Sequence, residues 1–531
     1  MKNSAKKNQI SNISIKEKDQ VKYIQKSNMN VAKKVSDAIR TSLGPHGLDK
    51  CIIYKKGILV TNDGATILKN AIFNDPVAKM LVNISISQDV EIGDGTTSVV
   101  ILTGSFLGSC VNLIEKGISP LKISDNFRIC LKKVQKILMK ISLPINIKNK
   151  NGLYHIASTS LESKIISVQS HILSSIAVKS VLKIIDMRLS CDVDLKNIKI
   201  IKKTGGTIEQ TELLEGIGIE YSILKAYNGP IRICSAKIAL IQFAINIPTS
   251  ETENTLVIKN YSCMDKMIKE EKQYIVGICR KIKATKCNVL LVQKSIIKES
   301  ICSLALQILA EMQIMVIKDI ERDDLEFIVN SLNCVPIADI ESMKHENFAF
   351  ADCVEERLYG QEKIIIFKGV KNVSCKTATV VIRSSNTLLL KEAERSFYDA
   401  LCVIRSIIRR RYLVAGGGSS EIEISFNLRQ FSKSITGVDC FCIIAFASSL
   451  EIIPYILSEN AGLEPIQVIS KLKKLHFFGN KFAGINVKRG LIENMFKSNV
   501  VLPLLVLIST LNMSVEFVIQ LLKIDDMVAS I

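Results

Sequence analysis

Apolar side chains recur every three to four residues over most of positions 29–143, and this period is typical of amphipathic helices. The pattern predicts a helix from residue 29 to about residue 41, followed by a strand at 58–60 and by helices at 65–70, 80–86, 97–116 and 124–141. Two more helices are predicted within 153–181, with residues 157–160 as a cap between them. The first part of the chain is therefore predicted to be mostly helical.

The middle of the chain has a different pattern, in which short β-branched runs alternate with helical segments. Strands are predicted at 199–202, 212–214, 237–243, 288–293 and 315–317, and helices at 301–312 and 323–332. Alternating strands and helices are typical of a parallel sheet covered by helices. We therefore expect an α/β domain over residues 206–382, with 377–382 as its last strand.

A long amphipathic helix is predicted at 386–411, and the remainder returns to a helical pattern with one hairpin near 484–487. Leu390, Phe397 and Ile404 lie on the apolar face of this helix. Asp399 lies on the other face, so local sequence favours an exposed carboxylate there.

The order of elements is helical, mixed, α/β, mixed and helical, which indicates a domain inserted into a discontinuous outer domain. Gly205–Gly206 and Arg383–Ser384 lie where the pattern changes, and we predict hinges at both positions. The fold class is thus multidomain, α plus α/β. The length of 531 residues agrees, because it exceeds what a single hydrophobic core usually supports.

Composition limits the class of protein further. The hydrophobic fraction is 47% and the mean hydropathy is +0.25, but the longest apolar runs, 441–450 and 500–508, are shorter than the ~20 residues of a membrane span. We therefore expect core segments and no membrane partner. The first 28 residues read as a disordered basic arm without a secretory signal, which predicts a cytoplasmic location.

The 15 cysteines and 5 histidines form no CxxC pair or zinc-like spacing, so buried thiols in a reducing compartment are expected and a Cys/His metal site is not. The formal charge of +19 could indicate nucleic-acid binding. However, the lysines are spread along the chain and tryptophan is absent, so we expect no nucleic-acid partner.

Candidate chemistry is concentrated in residues 93–98, GDGTTS, at the start of a predicted helix. Two glycines, small hydroxyl residues and a helix N-terminus can surround a phosphate group. Asp94 would repel a bare phosphate, so a divalent cation between them is expected, and we predict Mg2+ with a nucleotide. An ordinary Gly-Asp-Gly turn is the alternative, and the acid spacing does not fit a calcium loop.

Three other segments have open interpretations. Asp63 is suited to a turn or a helix N-cap. Residues 415–418, AGGG, allow a second close approach of backbone to a ligand. Residues 248–272 begin with polar residues and continue as a helix with Met264 and Met267 on one side, which fits a surface hairpin or an ordinary helix equally well.

Six motifs together resemble the motif set of the group II chaperonins, in order and at the spacing of that family. They are residues 42–45 (SLGP), 61–68 (TNDGATIL), 93–98 (GDGTTS), 399–401 (DAL), 415–418 (AGGG) and 484–487 (GINV). The resemblance extends over about residues 29–528. Residues 288–296, 314–328 and 523–528 are similar to one subunit type of the eukaryotic cytosolic members, TRiC.

The resemblance implies three domains. These are an equatorial ATP-binding domain (29–143 and 405–531), an intermediate domain (144–205 and 383–404), and an apical substrate-binding domain (206–382) with a lid protrusion at about 248–272. It also implies two rings of eight subunits, and in each ring seven paralogous subunits accompany this chain. Non-native proteins are the implied clients. ATP and Mg2+ are the implied cofactors, and K+ is compatible with them.

The resemblance also assigns roles to residues. Asp94 would hold Mg2+, and Asp63 and Asp399 would orient and deprotonate the attacking water. Because Asp399 falls in the implied intermediate domain, rotation of that domain would control hydrolysis. The nucleotide would be bound by Gly44, Gly93, Gly95, Thr96, Thr97, Ser98, Thr159, Ser160, Gly417 and Asn486.

Two residues depart from the family pattern, His46 in place of Lys and Ser384 in place of Gly. The second substitution could stiffen the predicted hinge. The alternative function is a free-standing nucleotide-hydrolysing or phosphoryl-transfer enzyme. A structural subunit that only binds nucleotide would need one of the two carboxylates to be missing, and both Asp63 and Asp399 are present.

Overall fold

The computed structural model describes residues 23–54, 57–147, 149–185, 192–223, 229–247, 261–295, 299–360, 362–370 and 377–525. Tertiary contacts divide the chain into two compact units, one formed by Met1–Val178 and Arg395–Ile531 and the other by Lys179–Glu394. The second unit is inserted into the sequence of the first. Its boundaries lie outside the predicted hinges at 205–206 and 383–384, and the division into three domains stays a prediction.

Helices dominate the first unit, and two of them, α7 and α11, contain the boundaries between the units. In chain order the α-helices are α1 (23–39), α2 (Gly64–Asn70), α3 (Pro76–Glu91), α4 (Thr96–Glu115), α5 (Pro120–Ile141), α6 (Lys150–Leu161), α7 (Ser170–Ile184), α8 (Tyr261–Ala284), α9 (Ser303–Glu311), α10 (Arg322–Leu332), α11 (Thr387–Arg409), α12 (Ser419–Ser432), α13 (Val438–Leu450), α14 (Ile452–Asn460), α15 (Pro465–Phe477) and α16 (Leu504–Leu522). Proline begins α3, α5 and α15, where its missing N–H and fixed φ are tolerated.

The strands of the described residues form five sheets. They are β1 (Lys50–Tyr54), β2 (Gly57–Thr61), β3 (Leu143–Pro144), β4 (Ile198–Thr204), β5 (Glu212–Leu213), β6 (Ile217–Ile219), β7 (Arg232–Ile241), β8 (Val289–Gln293), β9 (Met315–Ile320), β10 (Ala349–Tyr359), β11 (Glu362–Lys368), β12 (Ala378–Ser384), β13 (Tyr412–Ala415), β14 (Ala483–Asn486), β15 (Leu491–Asn494) and β16 (Val501–Pro503). The predicted strand at 58–60 pairs with β1 as a hairpin, and the predicted hairpin near 484–487 is β14–β15.

The core of the first unit is built around three aromatic rings from helices far apart in sequence. Phe106 of α4 stacks on Phe446 of α13 with ring centroids 4.6 Å apart, and Phe127 of α5 meets Phe446 edge-on at 5.1 Å. All three side chains are fully buried. Aromatic pairs of this kind stabilise the fold beyond the burial of their apolar surface, and they favour one packing arrangement of α4, α5 and α13.

In the part of the chain that the structure describes, three segments are long and apolar enough to span a membrane by length and composition, namely Thr96–Glu115, Val438–Asn460 and Leu504–Leu522. The expectation that the apolar stretches are too short to span is therefore wrong, because each segment continues past its longest uninterrupted apolar run. Between half and two-thirds of each segment is buried inside the protein, and residues of α4, α13 and α16 belong to one hydrophobic core.

The second unit contains a six-stranded sheet with the strand order β6-β11-β10-β7-β8-β9. Only the pairs β7–β8 and β8–β9 are parallel, so the predicted parallel sheet is a mixed one. Alternate residues of β8 enter two different cores, Leu291 on one side and Leu290 and Val292 on the other. The β7–β9 region therefore has apolar packing on both faces, as parallel strands usually do.

The strand predicted as the last of this sheet belongs elsewhere. β12 pairs in parallel with β4 and antiparallel with β5 in a separate three-stranded sheet. The predicted hinge residues meet at the end of this sheet, where the Gly205 N–H donates to the Ser384 carbonyl at 2.9 Å and Arg383 Nε donates to the Gly205 carbonyl at 3.0 Å. Gly205 and Gly206 both have a positive φ, which glycine adopts readily.

Helix α8 changes character along its length. Every residue from 261 to 274 is exposed, including Met264 and Met267, whereas Ile275, Ile278 and Ile282 are buried in the second unit. The remainder of the predicted protrusion, residues 248–260, lies outside the described residues.

Three further expectations are corrected by the structure. Residues 23–28, assigned to a disordered arm, belong to α1, and residues 1–22 of that arm lie outside the described part. Residues 157–160 lie within α6, and the break before α7 comes after Leu161. Asp399 is 6% exposed, so the expected solvent-exposed carboxylate is buried.

Candidate functional site

A cavity of about 210 Å3 in the first unit brings together residues from seven separate stretches of the sequence. Of the predicted site residues, ten line it: Gly44, Asp63, Asp94, Gly95, Thr96, Thr97, Ser98, Thr159, Ser160 and Gly417. The chain order of these residues gives no indication of their proximity, because they come from loops and helix ends separated by up to several hundred positions.

The N-terminus of α4 forms one wall of the cavity. Gly93 and Gly95 have φ values of +78° and +77°, and no side chain caps the helix. A Cβ added to Gly95 would lie 2.7 Å from Thr510 Cγ2, so only glycine fits the backbone path. The first N–H groups of a helix have no intrahelical partner, and together with the helix dipole they favour an anion. These residues fit a phosphate group.

Asp63 connects α2 to the start of α4. Its side chain caps α2 by accepting from the Thr66 N–H at 3.2 Å, and it also accepts from Thr96 Oγ1 at 3.0 Å. Burial acts to raise the pKa of Asp63, but the Lys164 ammonium, the two hydrogen bonds and Arg395 outweigh burial and lower it. Asp63 is therefore an anion near neutral pH.

Asp94 lies between the two glycines at the start of α4. Its Oδ1 accepts from the Gly95 N–H at 2.7 Å, and Gln88 Nε2 donates to its carbonyl at 2.8 Å. Burial raises the pKa of this carboxyl group. Within the described residues no three His, Cys, Asp or Glu side chains cluster as they would at a metal site made by protein alone. A cation at Asp94 would therefore need oxygen ligands from a bound group, as Mg2+ has in phosphate sites.

Asp399 does not line the cavity but is joined to it through Lys164. The two side chains, both mostly buried, form an ion pair with Nζ and Oδ2 2.8 Å apart. Burial raises the pKa of Asp399 to about 8, the Lys164 ammonium opposes this rise, and the Asp63 charge adds to it. Asp63, Asp94 and Asp399 all belong to the first compact unit.

The N-terminus of α12 forms another wall, which we call the α12 side. Gly417 and Gly418 have positive φ, and a Cβ on either would lie within 2.7 Å of a neighbouring atom. Apolar side chains surround this wall, and one acid, Glu421, lies among them. The apolar residues are Leu43, Ile453, Leu457, Val500 and Leu502. The surface suits a flat, weakly polar group better than a phosphate.

Two predicted ligand-binding residues are not among those lining the cavity. Gly93 packs against α11, because an added Cβ would lie 2.6 Å from Cys402 Sγ. Asn486 lies in the β14–β15 hairpin, where Nδ2 donates to Glu493 Oε2 at 3.2 Å and Oδ1 accepts from the Arg489 N–H at 3.3 Å. Their roles toward a ligand stay predictions.

Sequence reasoning assigned no role to several residues that line the cavity, among them the polar residues Asn62, Ser163, Lys164 and Glu421. Asn62 Nδ2 donates to the Ser163 carbonyl at 3.0 Å. Because Asn62 precedes Asp63 in the recognised motif, its place in the site could have been predicted from the sequence. Lys164 and Glu421 lie in ordinary polar segments after α6 and at the start of α12, and no local pattern distinguishes them. The departures at His46 and Ser384 lie outside the cavity lining.

Comparisons with known proteins identify the family of the chain. The model of the TCP-1/cpn60 chaperonin family matches residues 35–531. The chain is 48% identical to T-complex protein 1 subunit delta of Dictyostelium discoideum over 96% of both chains. It is 46% identical to the Homo sapiens protein of the same name, over 96% of this chain and 95% of that one.

A Schizosaccharomyces pombe protein with the same name is 47% identical, over 97% of this chain and 98% of the relative. The segments 288–296, 314–328 and 523–528 predict the delta subunit type, and the names of these relatives confirm that prediction. The free-standing enzyme is not favoured. The chain belongs to the TCP-1/cpn60 chaperonin family, whose members assist the folding of other proteins.

Proposed function

We propose that this chain is an ATP-hydrolysing subunit of a cytoplasmic, hetero-oligomeric double-ring chaperonin. Seven paralogous subunits would complete each eight-membered ring, and non-native proteins would be its clients. ATP and Mg2+ would be bound in the cavity of the first unit, with K+ as a compatible second ion. The relatives named as subunits of T-complex protein 1 support the assembly.

One observation supports hydrolysis above all others. Asp63 lines the anion-binding cavity and Asp399 lies behind it, next to Lys164. The surroundings lower the pKa of Asp63 and raise the pKa of Asp399. Carboxyl groups separated in this way are suited to different roles in acid–base chemistry. A subunit that only bound nucleotide would not need a second carboxyl group buried behind the cavity.

The residues present fit the proposed cofactors. The N-terminus of α4 would hold phosphate oxygens through its backbone N–H groups and through Thr97 and Ser98. Asp94 would share Mg2+ with those oxygens. The metal would supply neutralisation of the charge that develops during phosphoryl transfer to water.

The two remaining carboxyl groups would act on the attacking water. Asp63 is ionised and held by Thr66 and Thr96, so it can accept a hydrogen bond from water without moving. Asp399 has a pKa close to physiological pH, which suits a group that takes a proton and later releases it. Lys164 would keep Asp399 oriented.

The second unit would bind clients. The exposed first half of α8 presents Met264, Met267 and Ile268 to solvent, each 39% exposed or more. Apolar side chains on an exposed helix can contact the hydrophobic segments that non-native proteins expose. The lid role of residues 248–272, and the control of hydrolysis by domain rotation, are parts of the same proposal.

The native mass of complexes isolated through this chain from its own cells tests the assembly, and their subunits should be identified. A particle of about sixteen chains with eight related sequences, and with ATP turnover, is the expected result. A monomer or small dimer that hydrolyses ATP would overturn the assembly, and a large particle without turnover would overturn the hydrolytic role.

A further inference from the structure

Glu421 is a buried acid in the cavity that the proposed mechanism does not use. It lies in the first turn of α12, is 7% exposed, and lines the cavity among apolar side chains. Within the described residues no cation and no other side chain is paired with its carboxyl group, and its own backbone N–H is the only donor acting on it. Burial raises the pKa of Glu421 to about 7.

Glu423, a second buried acid in the same helix, provides a comparison because both of its carboxylate oxygens have side-chain partners. Glu423 is 5% exposed, its Oε2 lies 2.7 Å from His476 Nδ1, and its Oε1 accepts from Asn427 Nδ2 at 3.1 Å. Glu423 does not line the cavity. Buried carboxyl groups normally have several hydrogen-bond partners, and the only donor that acts on Glu421 in the described residues is its own backbone N–H, so its carboxyl group can accept a further hydrogen bond on the cavity side.

The position of Glu421 limits what that partner can be. The phosphate-binding features, Asp63, Asp94 and the start of α4, are linked to one another by hydrogen bonds and mutual charge effects. The start of α12 has different neighbours: a Cβ on Gly417 or Gly418 would meet Ile485 or Pro454, whereas a Cβ on Gly95 of the α4 wall would meet Thr510. A nucleotide with its phosphates at α4 would place its uncharged part on the α12 side.

We propose that the Glu421 carboxyl group accepts a hydrogen bond from a neutral donor of the bound nucleoside, either a ribose hydroxyl or the amino group of the base. Glu421 is then a specificity-determining residue of the site. A buried acid serves the same purpose for ribose in dinucleotide-binding folds. This inference rests on the proposed ATP site and adds to it the recognition of the nucleoside.

The test is a panel of binding measurements on the full-length chain with Mg2+. ATP is compared with 2′-deoxyATP and 3′-deoxyATP, which each lack one hydroxyl, and with purine riboside triphosphate, which lacks the amino group. Loss of the one donor that meets Glu421 should weaken binding about tenfold, since the carboxyl group is then left unpaired. The analogue affected tells whether the donor lies on the sugar or on the base.

Substitutions of Glu421 then test whether the preference for ATP over the analogue depends on this residue. Glu421→Met, which cannot accept a hydrogen bond, should bind ATP about tenfold more weakly and bind the discriminated analogue as well as it binds ATP. Glu421→Gln keeps an acceptor oxygen and should keep the preference. Glu423→Gln is the matched control, a change at a buried acid of the same helix, and it should leave the preference intact.

Two results would overturn the inference: wild-type chain that binds all three analogues as tightly as ATP, or folded Glu421→Met that keeps the wild-type preference. The wild-type panel decides by itself if Glu421→Met does not fold. Failure of the wild-type chain to bind ATP at all would instead reject the proposed function, so the two failures are distinguishable.

Discussion

Lys164 Nζ lies 2.8 Å from Asp399 Oδ2, and the two side chains are 12% and 9% exposed. This pair joins the loop after α6 to the middle of α11, at positions more than two hundred residues apart. Lys164 also lines the cavity, and its charge acts to lower the pKa values of Asp63, Asp94 and Asp399 together. One ammonium group thus influences all three carboxyl groups of the site.

Replacing Lys164 with Met should move the pH dependence of ATP hydrolysis. Without the ammonium group the pKa of Asp399 rises further, by about 1 unit. A smaller fraction of Asp399 is then ionised at neutral pH, and only the ionised carboxylate can accept a proton from water. We expect the ascending limb of the rate–pH profile to shift to higher pH. The profile is measured on complexes purified through this chain.

Lys164→Arg, which keeps the positive charge, is the control for this experiment. Its profile should stay close to that of the wild type. An unshifted profile for Lys164→Met would show that Asp399 does not act as the proton acceptor.

Asp399→Asn should abolish hydrolysis at this site, leave ATP binding intact, and change how stability depends on pH. The pKa of Asp399 is raised to about 8 in the folded chain, so the folded state binds this proton more tightly than the unfolded state. Between about pH 4 and pH 8 the wild type therefore loses stability as pH rises, by up to about 1.4 kcal/mol per pH unit. The Asn variant lacks this loss.

The measurement is the Tm of both proteins at pH 5, 6.5 and 8. The Tm of the variant minus that of the wild type should increase with pH, whatever its value at pH 5. A constant difference would mean that Asp399 is ionised throughout this range.

Gly95→Ala should remove nucleotide binding through two effects. Gly95 has a φ of +77°, and the added Cβ would lie 2.7 Å from Thr510 Cγ2. The left-handed conformation alone costs a non-glycine residue about 1–2 kcal/mol. The contact with Thr510 would in addition displace the start of α4.

Gly117→Ala separates these two effects. Gly117 has a similar φ of +84°, but nothing lies within 4 Å of an added Cβ. We expect a comparable backbone cost with unchanged ATP affinity, measured by titration of both variants. Equal ATP affinities in the two variants would argue against α4 as the phosphate-binding helix.

Asp63→Ala and Asp63→Asn should differ in stability but not in activity. Both remove the carboxylate, and we expect both to lose hydrolysis. Asn still caps α2, whereas Ala does not, so Asp63→Ala should be less stable than Asp63→Asn by about 1 kcal/mol. Thermal unfolding and ATP turnover of the two variants check this, and substantial turnover in Asp63→Asn would exclude the proposed role of the charge.

Local patterns were sufficient for most helices and for the phosphate-binding segment. The apolar period of α5 and α11 is strong because each of these helices is amphipathic, and the small residues at 93–98 are needed wherever backbone surrounds an anion. Asp63 was recognisable as a cap for the same reason, since capping depends on residues three positions apart.

Sheet membership was not encoded locally. The run 377–382 looks like any buried strand, and only its pairing with β4 and β5 shows that it leaves the six-stranded sheet. Strand partners are chosen by packing between distant segments, which periodicity does not report. β10 was missed because its polar residues, several of them in ion pairs, obscure the alternation.

The sequence by itself determined the helical period, the glycines that permit tight backbone paths, and the family motifs that indicate a chaperonin. Only the tertiary structure decided the chemical state of the acids. Asp399 has the sequence context of a surface residue, yet burial beside Lys164 raises its pKa to about 8. A carboxyl group's pKa depends on how much water and which charges surround it, and here those neighbours come from segments far apart in the chain.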